Sequence, residues 1–316
     1  MLDVTSENLL HSVFYTLAYA DIFDYPLTVQ EVYRYLPASS ASFEELIQAL
    51  ADETLFSKVE DYYTLRGREE IVEIRQARAN VASQLWRKAA RYGRIISTLP
   101  FVRMVAVTGS LAMNNTAEGK DIDYMIVTMP DHLWTCRALS LLIARIAKLE
   151  GVQLCPNYLV TTNALELQEH SLYVAHELAQ MVPLSGMEIY AETRRLNGWM
   201  ADYLPNALMV PEIPQDVKLV QKRSVMQKVL EMLFRLPFVT WFERWEMNRK
   251  IKRLSQEQSS SFESYFSADV CKGHIDRHGE NVVTALAVRM EDATEKATDP
   301  QGTSYTCPGG RCQGSR

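Results

Sequence analysis

A chain of 316 residues, 47% hydrophobic and 23% charged, has the make-up of an ordinary soluble globular protein with room for a sizeable core in two or three domains. Its net charge of −6 excludes a molecule built as a whole to coat nucleic acid, so any such contact must be local. Five cysteines with no regular framework, and no secretory leader, argue for a reducing cytoplasm.

Residues 1–70 read as short helices followed by a hairpin. Asp24-Tyr-Pro is a stop signal; Thr28 is placed to cap a helix over Val29–Leu36, and Ser42 one over Phe43–Asp52. Phe56–Leu65, with Val59, Tyr62, Tyr63 and Leu65, fits a β wing, and helices with such a wing look like a winged-helix module. The candidate recognition helix carries Glu44, Glu45, Asp52 and Glu53, which would repel phosphates. A packing or protein-partner role is therefore expected ahead of DNA reading, for which Lys58, Arg66 and Arg68 would be the wing contacts. Residues 71–99 form a connecting helix within the pattern Glu69–Leu99. Its Arg75, Arg78, Arg87, Lys88, Arg91 and Arg94 are expected on a solvated basic face between two domains; the sharper alternative hangs some of them over an anion site.

The next stretch, 100–162, holds the chemistry. Val102–Val107 is a short, β-branched, apolar run, hence a buried strand. Gly109-Ser110 ends it and Leu111-Ala-Met opens a helix, so a glycine backbone and a helix N-terminus are both available to a phosphate. Lys120-Asp-Ile-Asp-Tyr-Met-Ile-Val begins a second strand, whose period of two puts Asp121 and Asp123 on one face and Ile122, Tyr124 and Ile126 on the other. Two carboxylates beside a phosphate-cradling turn suit a divalent cation, since Mg²⁺ prefers hard oxygen ligands and shares them with substrate phosphates. A helix over 132–149 and a strand near Val152–Val160 follow.

Hydrophobic-Gly-Ser, a spacer, then Asp-hydrophobic-Asp between two apolar strands resembles the DNA polymerase β-like nucleotidyltransferase superfamily, over roughly residues 100–190. The resemblance implies an α+β protein: a mixed-sheet nucleotidyltransferase core flanked by the winged-helix-like module and C-terminal helices. It implies transfer of a nucleoside monophosphate from an NTP to an acceptor, with release of pyrophosphate. Asp121 and Asp123 would be catalytic and hold Mg²⁺ or Mn²⁺; Gly109 and Ser110 would bind the β/γ-phosphates, with Lys120 and Asn157 also at the nucleotide. The third carboxylate of the superfamily sits on the strand after the core helix, and here Asn157 stands in that place. Asparagine cannot accept a proton, so Glu166, His170, His176 and Glu177 are candidate substitute bases. The alternative is a catalytically impaired nucleotide-binding scaffold or regulator.

Residues 163–255 read as helical, with Val174, Leu178 and Met181 on one stripe. Pro183-Leu-Ser-Gly186 is similar to a turn in the helical region after minimal cores of that superfamily, and Asn197, Trp199 and Asn206 lie in a segment able to close over a substrate. Residues 218–253 carry ten Lys or Arg against three Glu, with an apolar side of Leu230, Leu233, Phe234, Phe238, Trp241, Phe242 and Trp245. Bundle packing with a basic solvent face is expected there; a polyanion surface and a membrane-surface helix are the alternatives. The helical patterns are broken by Arg137 and Arg145 in one and Arg235 and Glu243 in another, so none is expected to span a bilayer. A linker at Gln256–Ser261 leads into a C-terminal helical segment, 256–297. In it, Cys271, His274 and His278 have a spacing that suits zinc if helical, with Asp276 or a tail cysteine as a fourth ligand. The tail, 298–316, is rich in Gly, Pro and Ser and is expected to be disordered, with Cys307 and Cys312 as free thiols.

Overall fold

The computed structural model describes residues 4–37, 41–211, 213–214, 220, 225–234, 237–257, 265–273 and 278–298. They form an α+β structure with a three-stranded antiparallel sheet and a mixed sheet of six strands.

The N-terminal part runs α1 Val4–Asp21, β1 Leu27–Thr28, α2 Val29–Arg34, α3 Phe43–Ala49, β2 Phe56–Val59 and β3 Tyr62–Leu65. Both expected caps form. Thr28 and Ser42 accept from the backbone N–H three residues on, and Glu31 and Glu45 accept from the cap N–H, which completes a capping box at each helix. Both helices stop short of their expected ends because Tyr35, Leu36 and Leu50 turn into the core. The unforeseen strand β1 has two residues, too few for any alternation; it pairs with β3 to give the order β1-β3-β2.

Helix α4, Ile71–Ser97, turns Ala82, Trp86, Ala89 and Ile96 toward the larger sheet, and Tyr124 Oη donates to the Ala89 carbonyl at 2.8 Å. Its arginines divide. Arg75 lies against the rings of Tyr25 and Tyr62 and pairs with Glu31 at 2.7 Å. Arg78 pairs with Asp24 and donates to the Phe23 carbonyl. These two fasten the N-terminal module to the helix, contrary to the solvated face expected for the whole row; Arg87, Lys88, Arg91 and Arg94 are exposed as read.

The larger sheet has β4 Val102–Thr108, β5 Ile122–Thr128 and β6 Leu154–Thr161 at its centre, flanked by β7 Val182–Ser185 on one side and by β8 Tyr265–Phe266 and β9 Val270–Lys272 on the other, in the order β7-β4-β5-β6-β9-β8. Strands β5 and β6 are parallel, joined by α6 Leu133–Leu149; the other neighbours are antiparallel. A single turn, α5 Gly109–Ala112, follows β4. Alternation sends Val105, Val107, Ile122, Tyr124 and Ile126 into a core under α4 and α6. Met104, Ala106, Met125 and Val127 enter a second core on the opposite face. That face is covered by α7 Leu172–Gln180, α8 Met187–Leu196, α9 Met200–Tyr203 and a 3₁₀ turn at Pro205–Leu208, and it receives Val174, Leu178 and Met181 as read. Helices α10 Val225–Leu233, α11 Pro237–Glu257 and α12 His278–Thr298 complete the described chain.

Several stretches differ from the sequence reading. Within the helical segments expected over 163–255 and 256–297, Val182–Ser185 is a strand antiparallel to β4, Tyr265–Phe266 and Val270–Lys272 are strands beyond β6, and Gln256 and Glu257, expected in a linker, end α11. Pro183 lacks the N–H a helix needs but is tolerated at a sheet edge, and Gly186, at φ +72°, turns the chain out against the Arg103 carbonyl. Asn197 closes no substrate site: it is buried, donating to the carbonyls of Leu165 and Thr193 and accepting from Leu167 N–H. Among the described residues no helix is long and apolar enough to cross a membrane.

Candidate functional site

Antiparallel pairing brings the end of β4 to the start of β5, so that Thr108 lies opposite Asp123. Gly109 follows at φ +65°, and a Cβ there would stand 2.7 Å from Asp123 Oδ2. Only glycine lets the turn come this close. The small-residue turn and the acidic pair thus meet at one end of the sheet.

Asp121 sits just before β5. Its carboxylate, that of Asp123 and the Cys155 thiol have their ligand atoms within 4.8 Å of one another, a group able to hold a metal ion. Cys155 enters from β6, whose parallel register sets it opposite Asp123. Sequence reasoning missed this residue; the signal was available, because Cys155 lies two positions before Asn157 on the adjoining strand. Asn157 itself donates from Nδ2 to Asp123 Oδ1 at 2.9 Å. Ser110 Oγ lies 3.3 Å from Thr116 Oγ1, and Lys120 is exposed. The helix expected after Gly109 is only one turn long, so the site has no developed helix dipole; the glycine backbone and the Ser110 hydroxyl remain.

Burial, reinforced by Asp121 and Glu177, pushes the Asp123 carboxyl up to about 7, against the opposing pull of the Cys155 hydrogen bond and of Lys120. Burial and the same two aspartates push the Cys155 thiol up to about 12, so it is protonated and donates toward the carboxylates. Among the described residues, no Lys or Arg makes an ion pair with Asp121 or Asp123.

A cavity of about 1110 Å³ opens beside this cluster, with Thr108, Tyr158, Glu166, Glu177, Lys272 and Val283 among its walls. It adjoins the aspartates through Thr108 and Glu177; Gly109, Ser110, Asp121 and Asp123 are not in its lining. Lys272 is held by Glu169 at 2.6 Å. Glu177 accepts no hydrogen bond from a described residue, and burial raises its carboxyl to about 7 against the opposing field of Lys272.

The other candidate bases fall elsewhere. His176 is buried in a stack with Tyr19, rings 4.0 Å apart, and burial drops its pKa to about 3. His170 is exposed and stacks on Trp199. Glu166 is exposed at the cavity wall. Of the zinc set, Cys271 lies on β9 instead of a helix, buried in the core under α6, where burial raises its thiol pKa. His274, Asp276, the side chain of His278, Cys307 and Cys312 lie outside the described residues.

Comparison of the chain with protein-family models, with curated proteins and with solved structures finds no match in any of the three.

Proposed function

We propose that this chain is a metal-dependent nucleotidyltransferase of the polymerase β-like kind, moving a nucleoside monophosphate from an NTP to an acceptor with release of pyrophosphate. The observation that carries the reading is the contact of the Gly109 turn with the Asp123 carboxylate, with Asp121 alongside. Two carboxylates that no Lys or Arg among the described residues pairs with fit Mg²⁺ or Mn²⁺, and the protonated thiol beside them fits a hydrogen-bond donor better than a ligand of a hard ion. Such an ion, when bound, neutralises phosphate charge and stabilises the attacking and leaving oxygens.

The chain's own groups supply position. The Gly109 backbone and the Ser110 hydroxyl face the β/γ-phosphates, Lys120 adds positive charge at the rim, and the adjoining cavity receives the acceptor. Asn157 orients Asp123 by its hydrogen bond but cannot take a proton. Glu177 can: it opens into the cavity, its charge acts on Asp123, and burial lifts its carboxyl to about 7. It is the proposed recipient of the acceptor's proton, and ATP is a suitable first nucleotide to test.

Residues 4–65 support a winged-helix-like reading through their order (helix, strand, two helices, two strands) and the β1-β3-β2 sheet. The exposed side of α3 carries Glu44, Glu45, Ile47 and Gln48, which favours a protein partner over nucleic acid.

Labelled NTPs with Mg²⁺ or Mn²⁺, followed by mass analysis of protein and added acceptors, test the activity. Pyrophosphate release abolished in Asp121→Asn/Asp123→Asn supports it. Nucleotide binding without turnover across acceptors supports the second reading, an impaired scaffold, which the replacement of an acid by Asn157 favours.

A further inference from the structure

Helix α10 is built the wrong way round for a helix of a free-standing globular protein. Among the described residues its two buried ones are polar: Gln227 Nε2 donates to the carbonyls of Ser97, Leu99 and Val102, and Glu231 accepts from Phe101 N–H and pairs with Arg103 at 2.7 Å, while Leu230 and Phe234 beside them are half-buried. Its apolar side faces water. Val225 is 77% exposed, Val229 48%, Met232 76% and Leu233 53%, and their spacing places them on one stripe. Three residues later α11 continues the pattern with Trp241, 67% exposed, and Trp245, 46% exposed.

Charge is sorted just as sharply. The three acids of this region, Glu231, Glu243 and Glu246, are all buried. Glu243 caps the start of α6 by accepting from the N–H groups of Trp134 and Thr135, and Glu246 holds Arg249. The basic residues Lys228, Arg244, Arg249 and Lys252 are exposed. The described part of this stretch therefore shows water four cations, interleaved with aliphatic side chains and two tryptophans, and buries its three acids.

We infer that α10 and α11 dock this protein on the surface of an anionic lipid bilayer, with Met232, Leu233, Trp241 and Trp245 entering the headgroup boundary and the cations meeting lipid phosphates. Tryptophan and aliphatic residues with Lys and Arg beside them are the composition of interfacial helices. A second copy is the weaker occupant, because a two-fold interface would set these cations against themselves. Nucleic acid has no use for exposed Val225, Val229, Met232 and Leu233. The helices dock where β4 begins, at Phe101 and Arg103, whereas the aspartates lie where β4 ends. Binding would leave that end of the sheet open.

The test is co-sedimentation of the full chain with vesicles of phosphatidylcholine alone or with about 30% phosphatidylglycerol. Binding to the mixed vesicles, with tryptophan emission shifted to the blue, is expected, and little to phosphatidylcholine. Lys228→Gln/Arg244→Gln should weaken it on the order of thirtyfold, and Trp241→Ser/Trp245→Ser at least about tenfold. Both variants should keep the parent's circular dichroism and melting temperature, since the replaced side chains face solvent. Equal binding to both vesicles, or none, overturns the inference. So does a dimer without lipid that the tryptophan variant dissociates, or RNA or DNA binding that the apolar substitutions leave intact.

Discussion

Asp21 and Asp123 are both recessed aspartates, in opposite surroundings. Asp21, 4% exposed, accepts from Arg68 Nε and Arg289 Nε, each at 2.7 Å, and Arg68 goes on to Asp24. With Arg75–Glu31 and Arg78–Asp24 nearby, the N-terminal junction matches each carboxylate with a guanidinium. Asp123 instead has Asp121, Glu177 and a neutral thiol for neighbours. A carboxylate of the first kind holds parts of the molecule together; one of the second kind has a cost in the free protein that a bound cation can offset.

The largest effect should come from the junction. Asp21→Ala leaves Arg68 and Arg289 without their shared acceptor, and both are about one-third exposed, so water recovers part of the loss. A destabilisation of about 2–4 kcal/mol in urea unfolding is expected. A change below about 0.5 kcal/mol would place Asp21 among ordinary surface charges and dissolve the contrast.

His176 and Glu177 are chain neighbours whose burial acts in opposite directions with pH. The folded protein keeps His176 neutral down to about 3, while the unfolded chain protonates it below its ordinary value near 6.5. The unfolded state then binds more protons, so stability falls as pH drops from about 6.5 toward 3, by about 2 kcal/mol between 6.5 and 5. Glu177, raised to about 7, costs stability in the other direction, as pH rises from about 4.5 through 7. The difference between the parent and His176→Phe isolates the histidine. That difference should grow on acidification, and a flat difference from pH 6.5 to 5 would mean that the imidazole is not sealed between Tyr19 and Tyr35.

Gly109→Ala joins the two regions' logic in one substitution. The new methyl meets Asp123 Oδ2 and the backbone stays left-handed, so a loss of about 1–3 kcal/mol is expected. Any rise in melting temperature that Mn²⁺ gives the parent should also shrink. A full Mn²⁺ response in this variant would separate the turn from the acidic pair.

The motif at 105–126 was legible because it is local: β-branched runs fix the strands, and period two fixes which face the aspartates share. The caps at Thr28 and Ser42 were legible for the same reason. Strands β7, β8 and β9 were not, because each is two to four residues long and is stabilised by pairing with distant chain, which no window of sequence reports. Cys155 had only an indirect signal, its place two positions before Asn157, and it is the parallel register of β5 and β6 that brings it to Asp123. Glu177 could be listed from sequence but not chosen; its distinction is a cavity wall made by residues from 108 to 284. The arginine row of α4 misled because charge spacing alone does not tell a solvated guanidinium from one set against Tyr25 and Tyr62.

The sharpest version of the contrast is a change of sign. Removing a carboxylate at the junction should destabilise, and Asp123→Asn should stabilise the metal-free protein. The Asn157 hydrogen bond survives, because the new Oδ1 still accepts, and the new amide can donate to Asp121. What disappears is a group whose folded pKa, about 7, lies above its unfolded value near 3.8. Such a group costs nothing below pH 3.8, and stability is lost as pH rises through 7, so the gain should appear only above about pH 4 and level off above 7. Asp121 and the groups around the pair relax when one charge goes, so about 1 kcal/mol at pH 7.5 in a chelator is the expected size. Adding Mn²⁺ should reverse the order, raising the parent above the variant, because the repulsion that penalises the empty pair is the same charge that binds the ion. If the variant is the less stable protein with and without Mn²⁺, the pair is a structural feature and the metal reading fails with it.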